Sequence, residues 1–334
     1  MSGNVTAPYR LPTGQIASPI RSCVRVLSLS GGGYRGLFTA RLLSQIEAMD
    51  EYGGEPIGRR FDVIVGTSVG GLIAAALALD ISARDVYDLL VEWGPSIFPK
   101  LFLKNLRKTL SKRVYSAEPL ERAIEKCLGP TGRRSLAALE KPLALTAVSW
   151  SRGELRLLRS AGLAAAAADT CSIFDATRAT SAAPAHFPAM NIDGDWFVDG
   201  GLAANCPDLH ALSEARRLCA NVRMLSIGTS GATRENVPGS IPQRGITWAK
   251  PALDLAIQAQ ERIAQAECER ALKDDYLRLN NKPGIDQREL RELDNATANT
   301  TVALRSLADA RFESLKNNAA ERRQLDRLVS PILI

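Results

Sequence analysis

The feature that most constrains this chain is an almost unbroken apolar run, Phe61 to Gly66, that stops at a glycine-flanked turn. The turn leads at once into an Ala- and Leu-rich stretch from Gly70 to Leu79. A short run of this kind, apolar at nearly every position, suits a strand buried on both faces, which is the habit of parallel sheets. A second such unit precedes it. Val24 to Ser30 alternates with β-branched and apolar residues, ends at Gly31-Gly32-Gly33, and gives way to helical apolar spacing over Leu37 to Met49. Strand, helix, strand, helix at short intervals argues for an α/β fold, with a mainly parallel sheet flanked by helices in three layers.

Further strands are expected at Leu143 to Trp150 and Glu154 to Arg159, paired across the turn Ser151 to Gly153, and at Val222 to Gly228. Trp248 to Leu272 carries an apolar stripe of a long amphipathic helix, and about 300–330 reads as helical and charge-rich. Residues 1–22 read as a flexible N-terminal arm, and 23–334 as one catalytic domain with a helical part from about 236. Ala164 to Ala168 is the single low-complexity patch, and Pro and Gly near 236–245 mark a linker or surface loop.

Gly66-Thr67-Ser68-Val69-Gly70 fits G-x-S-x-G between strand and helix. Glycines at both ends permit a strained turn that lifts the Ser68 hydroxyl out of the sheet, and the following helix aims its first amides at the same place. Gly31-Gly32-Gly33-Tyr34-Arg35-Gly36 has two chemical readings. Consecutive amides at a helix start can bind an oxyanion, with Gly32, Gly33 and Tyr34 as the candidate donors. Gly31, Gly33 and Gly36 also match the dinucleotide fingerprint, but the second strand ends in Gly66-Thr67-Ser68, without the acidic residue that would hold a ribose. Asp199, followed by Gly200 and Gly201 after the apolar run Trp196 to Val198, is an aspartate at a strand end that can reach a hydroxyl on another segment. Asp193 and Asp195 are read as turn residues. Of the two histidines, His210 falls inside a helix over Asp208 to Leu218 and His186 sits between prolines, so both are read as structural rather than as triad members.

The order of Gly-Gly-x-Arg-Gly, then Gly-x-Ser-x-Gly, then Asp-Gly-Gly resembles the patatin-like phospholipases. Ala179 to Pro184, Asp199 to Pro207 and Leu225 to Thr229 resemble the segments around the motifs of that family, so the likeness covers roughly 24–280. The resemblance implies a Ser–Asp dyad without histidine, a glycine-loop oxyanion hole and calcium-independent hydrolysis of lipid acyl esters. Carried over by motif, Ser68 is the nucleophile and Asp199 its base. Gly32, Gly33 and Tyr34 are the oxyanion amides, and Gly31, Arg35, Gly36, Gly66, Gly70 and Gly200 support the loop and elbow. Arg35 pins the loop or meets a lipid phosphate. The opening Leu27 to Ala40 further resembles bacterial effectors of anti-phage defence that a cyclic dinucleotide switches on. Two rival readings stay open: an idle ligand-binding or interaction protein on the same fold, and a dinucleotide-cofactor enzyme.

A formal charge of +6 and a pI near 9.1 favour approach to anionic surfaces. The basic stretch Lys100 to Arg113, with Phe102, Leu103, Leu106 and Leu110 on one helical face, reads either as a helix lying on a phospholipid membrane or as one packed on the core. The expected partners are a phospholipid membrane surface, a cyclic dinucleotide activator and further copies of the chain, without DNA or RNA. No cofactor is expected, and no metal, because two histidines and six scattered cysteines offer no ligand spacing. Those cysteines read as structural thiols of a reducing compartment. No signal segment stands out, and Val69 to Leu79 falls short of the roughly 20 residues a bilayer span needs. The expected location is the cytoplasm, at the inner face of the membrane when active.

Overall fold

The computed structural model describes residues 23–52, 54–99, 115–163, 168–230, 249–281, 290 and 292–330. The arm 1–22, the basic stretch 100–113, alanines 164–167, the loop 236–245 and Trp248 lie outside the described residues.

Strands β1 (Val24–Leu29), β2 (Val63–Gly66), β3 (Leu143–Ser149), β7 (Val222–Ile227) and β8 (Tyr276–Leu279) form the parallel body of one sheet, in the order β3-β2-β1-β7-β8. At the β3 end, β4 (Glu154–Arg159) and β6 (Asp195–Asp199) pair antiparallel with β3, and β5 (Met190–Ile192) pairs antiparallel with β6. The sheet is therefore mixed, mostly parallel and flanked by helices, as the sequence leads one to expect.

Strand periodicity sorts the core into two layers. Leu27, Leu29, Ile64, Leu145, Leu225 and Ile227 face a cluster shared with α1 (Gly36–Glu47), α2 (Val69–Ala78) and α3 (Ala83–Ile97). α4 (Glu118–Leu128), α5 (Ile173–Thr180), α9 (Ala298–Asn317) and α10 (Ala319–Val329) join the same layer. Val24, Val26, Val63, Val65, Ala144, Val222 and Met224 face the other way, onto α7 (Asp208–Leu218) and Cys268 of α8 (Ala249–Leu272). A four-residue helix, α6 (Gly201–Ala204), follows β6. All four residues of β2 are buried, which explains why its sequence does not alternate.

The structure refines several expectations. The helical stretch at 300–330 is two helices, because Asn318 starts a new one: its side chain accepts from the Ala320 and Glu321 amides at 3.1 and 3.3 Å. Asp195 opens β6 rather than sitting in the turn, and its carboxylate accepts from the Ser149 hydroxyl at 2.9 Å. Asp193 does occupy the turn, at φ 51.

What matters for the site is how β3 is shared. Along one edge its first half pairs with β2, placing Gly66 opposite Leu145, and its second half pairs with β6, placing Asp199 opposite Ala147. Two residues of strand are about 7 Å. The end of β2 and the end of β6 thus meet head to head on one side of β3, although 133 residues separate Gly66 from Asp199.

Candidate active site

Ser68 sits at the junction of β2 and α2 with φ 56 and ψ −127, a backbone region that L-residues enter only where the surroundings force it. The forcing contacts are visible. A Cβ on Gly66 would strike the Gly70 carbonyl, and one on Gly70 would lie 2.5 Å from the Leu29 carbonyl and 2.6 Å from that of Ser30. Only glycine at both positions lets α2 start so close to the sheet. The Ser68 amide donates to Thr180 Oγ1 at 2.9 Å, and the Ser68 carbonyl takes the Gly71 amide at 2.8 Å. The Ser68 hydroxyl makes no cap bond to its own helix, which leaves it for other chemistry.

Asp199 ends β6 and is 5% exposed. Its amide donates to the Ala182 carbonyl at 3.0 Å, and its Oδ1 accepts from the Gly201 amide at 2.7 Å. Burial pushes the carboxyl up to about 6, while hydrogen bonds from the Ser68 side chain and the Gly201 amide pull it back. Ser68 and Asp199 are thus brought together. The segment Ala179 to Pro184 supports both, through Thr180 at Ser68 and Ala182 at Asp199. Gly200 cannot carry a side chain, because a Cβ there would run into Thr146.

The glycine loop lies against the serine: a Cβ on Gly31 would stand 3.2 Å from Ser68 Cβ. Its carbonyls are held. Gly31 O accepts from Thr229 Oγ1 at 3.0 Å, and Gly32 O accepts from the Arg35 amide at 3.2 Å and Arg35 Nε at 3.3 Å. In a trans peptide the N–H points away from the preceding carbonyl. Holding the Gly31 and Gly32 carbonyls therefore fixes the directions of the Gly32 and Gly33 amides, and neither amide has an acceptor among the described residues. Gly36 lets α1 approach α2, since a Cβ there would meet Val69.

Tyr34 is a correction to the donor set read from the sequence. Gly33 turns the chain at φ 58, and the Tyr34 amide then donates to the Leu293 carbonyl at 2.8 Å, so it is already committed. Its hydroxyl bonds Thr301 at 2.7 Å. Arg35 spends its Nε on the loop, consistent with pinning. His210 lies inside α7, and His186 Nε2 is 3.8 Å from Asp294. Neither histidine hydrogen-bonds Ser68 or Asp199 among the described residues. No cluster of three or more His, Cys, Asp or Glu side chains suited to a metal ion occurs among them either.

A family model described as patatin-like phospholipase matches residues 27–212, more than half of the chain. The chain belongs to the patatin-like phospholipase family. Membership makes it a lipid-hydrolysing enzyme. It is 34% identical over 318 residues to a cGAMP-activated phospholipase of Pseudomonas aeruginosa, covering 92% of this chain and 90% of that one. A cGAMP-activated phospholipase of Vibrio cholerae is 31% identical over 335 residues, covering 90% and 94%. Patatin group M-3 of Solanum tuberosum is 26% identical over 339 residues, covering 91% and 84%. At 90% or more of the chain, these likenesses must extend past α8 and β8, well beyond the stretch that the family model matches.

Several supporting residues of this phospholipase were not singled out from the sequence. Thr180 lay in a segment already noted for its resemblance, and Thr229 ended another. Asn205 likewise lay within the noted segment Asp199 to Pro207, whereas Leu293 and the α8 residues facing the loop carried no local signal, because they act only through tertiary contact.

Proposed function

We propose that this chain is a phospholipase A-type acyl hydrolase using Ser68 as nucleophile and Asp199 as its single base. The observation that carries the reading is the convergence of an elbow serine and a buried, proton-hungry carboxylate beside two amides of a pinned glycine loop. Asp199 takes the Ser68 proton as Oγ attacks the ester carbonyl. The Gly32 and Gly33 amides receive the oxyanion. Collapse expels the lysolipid alkoxide, which takes the proton from Asp199, and leaves an acyl-serine. Water then attacks the acyl group, Asp199 takes the water proton, and collapse releases fatty acid as Ser68 regains its hydrogen.

A carboxyl near 6 is a better base than an ordinary aspartate and is still ionised at neutral pH. The rate at low substrate is therefore expected to rise with pH through about 6, falling tenfold per pH unit below it, and to level off above 7. A profile of kcat/KM on a soluble ester checks this, and an acid limb near 4 would speak against a buried base.

The relatives named cGAMP-activated phospholipase suggest that cGAMP switches this chain as well. We further propose that its substrate is phospholipid at the inner membrane face and that copies of the chain associate when active, neither of which the relatives' names state. No helix among the described residues is long and apolar enough to cross a membrane. Phospholipid vesicles incubated with the protein should release fatty acid at least tenfold faster with cGAMP than without. Equal rates across a panel of cyclic dinucleotides would remove the switch and leave the hydrolase.

A further inference from the structure

The loop that bears the two amides is held from behind by helix α8, and Asn205 is the joint. The Gly31 amide donates to the Asn205 carbonyl at 2.9 Å, and Asn205 Nδ2 reaches back to the Gly31 carbonyl at 3.5 Å. Asn205 sits just past α6, the turn that supplies the Gly201 amide to Asp199. Its own amide donates to Gln260 Oε1 at 3.0 Å, and its Nδ2 donates to the Glu261 carboxylate. Glu261 and, seven residues earlier on the same helix face, Asp254 are also the acids that act on Arg35, whose Nε holds the Gly32 carbonyl.

We infer that Glu261 is the positioning residue of the oxyanion loop: through Asn205 it orients the Gly31 peptide and through Arg35 the Gly32 peptide. One carboxylate thereby bears on both neighbouring peptides, adding to the Thr229 hydroxyl and the Arg35 amide that also hold their carbonyls. The inference rests on the oxyanion role proposed for that loop.

The test uses the full chain with cGAMP present and a soluble short-chain ester. Initial rates give kcat and KM, and a trifluoromethyl ketone that forms a tetrahedral adduct with Ser68 reports the oxyanion site directly. Glu261→Ala is expected to lower kcat by about 10- to 100-fold, in the range seen when an outer-shell support is lost, and to weaken the ketone by a matching factor. KM should stay within threefold, because substrate binding does not use these groups. Glu261→Gln keeps an acceptor for Asn205 but not the charge facing Arg35, and should lose only about three- to tenfold in both readouts. Melting curves accompany each variant, and Glu261→Gln carries the test if the alanine variant does not fold. Unchanged kcat and ketone affinity in a folded variant would overturn the inference, as would a loss confined to KM. Absence of any Ser68-dependent hydrolysis in the wild type would sink the functional reading, and this inference with it.

Discussion

Replacing Ser68 with alanine is expected to reduce fatty-acid release by about 10⁴-fold or more while leaving the fold intact. The size follows from removing the proposed nucleophile, and with it the acyl intermediate of the proposed mechanism. Water would then have to attack without a covalent step. The fold should survive because the Cβ that occupies the strained turn remains, and the lost hydroxyl caps nothing in α2. Most serines at a helix start contribute about 1 kcal/mol through such a cap, and this one does not. The bond lost is the one to the Asp199 carboxylate, so the melting temperature should shift by only about 2–4 °C. Parallel variants sharpen the result: His210→Ala and His186→Ala should keep most of the activity, since neither ring reaches the Ser68–Asp199 pair. Product analysis by mass spectrometry, with cGAMP present, measures all three. A Ser68→Ala protein retaining a tenth of the wild-type rate would end the assignment.

The strands and helices near Ser68 were legible in the sequence because local periodicity dictated them. β1, β2, β3, β4 and β7 lie where alternation or continuous apolarity puts them, and α2 and α7 follow glycine and proline punctuation. β8, only Tyr276 to Leu279, was invisible: four residues after a long helix give no period to count, and only pairing with β7 makes them a strand. The amphipathic α3 and α4, at Ala83–Ile97 and Glu118–Leu128, pack on the core and hold no motif.

For the proposed site, motif order pointed to Ser68 and Asp199 as candidates, yet no sequence argument could say that they meet. That follows from one strand pairing with two partners along the same edge: β2 and β6 each occupy half of β3, so residues far apart in the chain end at adjoining rungs. The Tyr34 amide was misjudged for a related reason. Its acceptor, the Leu293 carbonyl, comes from a segment 259 residues away whose arrival nothing in the glycine motif announces.

The same burial that suits Asp199 to its proposed task should be a cost to stability, and Asp199→Asn separates the two. Activity is expected to fall by about 10³- to 10⁴-fold, because the amide cannot take the Ser68 proton. Stability should move the other way. In the folded chain the carboxyl binds its proton up to about pH 6, against 3.8 for the ordinary group. The folded state therefore holds the proton more tightly than the unfolded state, and stability declines as pH rises from about 4 to about 6. Above that window the ionised carboxylate leaves a penalty on the order of 3 kcal/mol by linkage. Asparagine has no charge to bury. Its Oδ1 can still accept from the Gly201 amide, and its Nδ2 can face Ser68. Urea unfolding at pH 8 should show the variant more stable than wild type by about 2–3 kcal/mol, with the gain vanishing near pH 4. Other carboxylates titrate over the same range, so the difference between the two proteins at each pH is the quantity to follow. A variant no more stable than wild type at pH 8 would mean that the carboxylate is better solvated than its 5% exposure implies, and the reason for its raised affinity for protons would be lost.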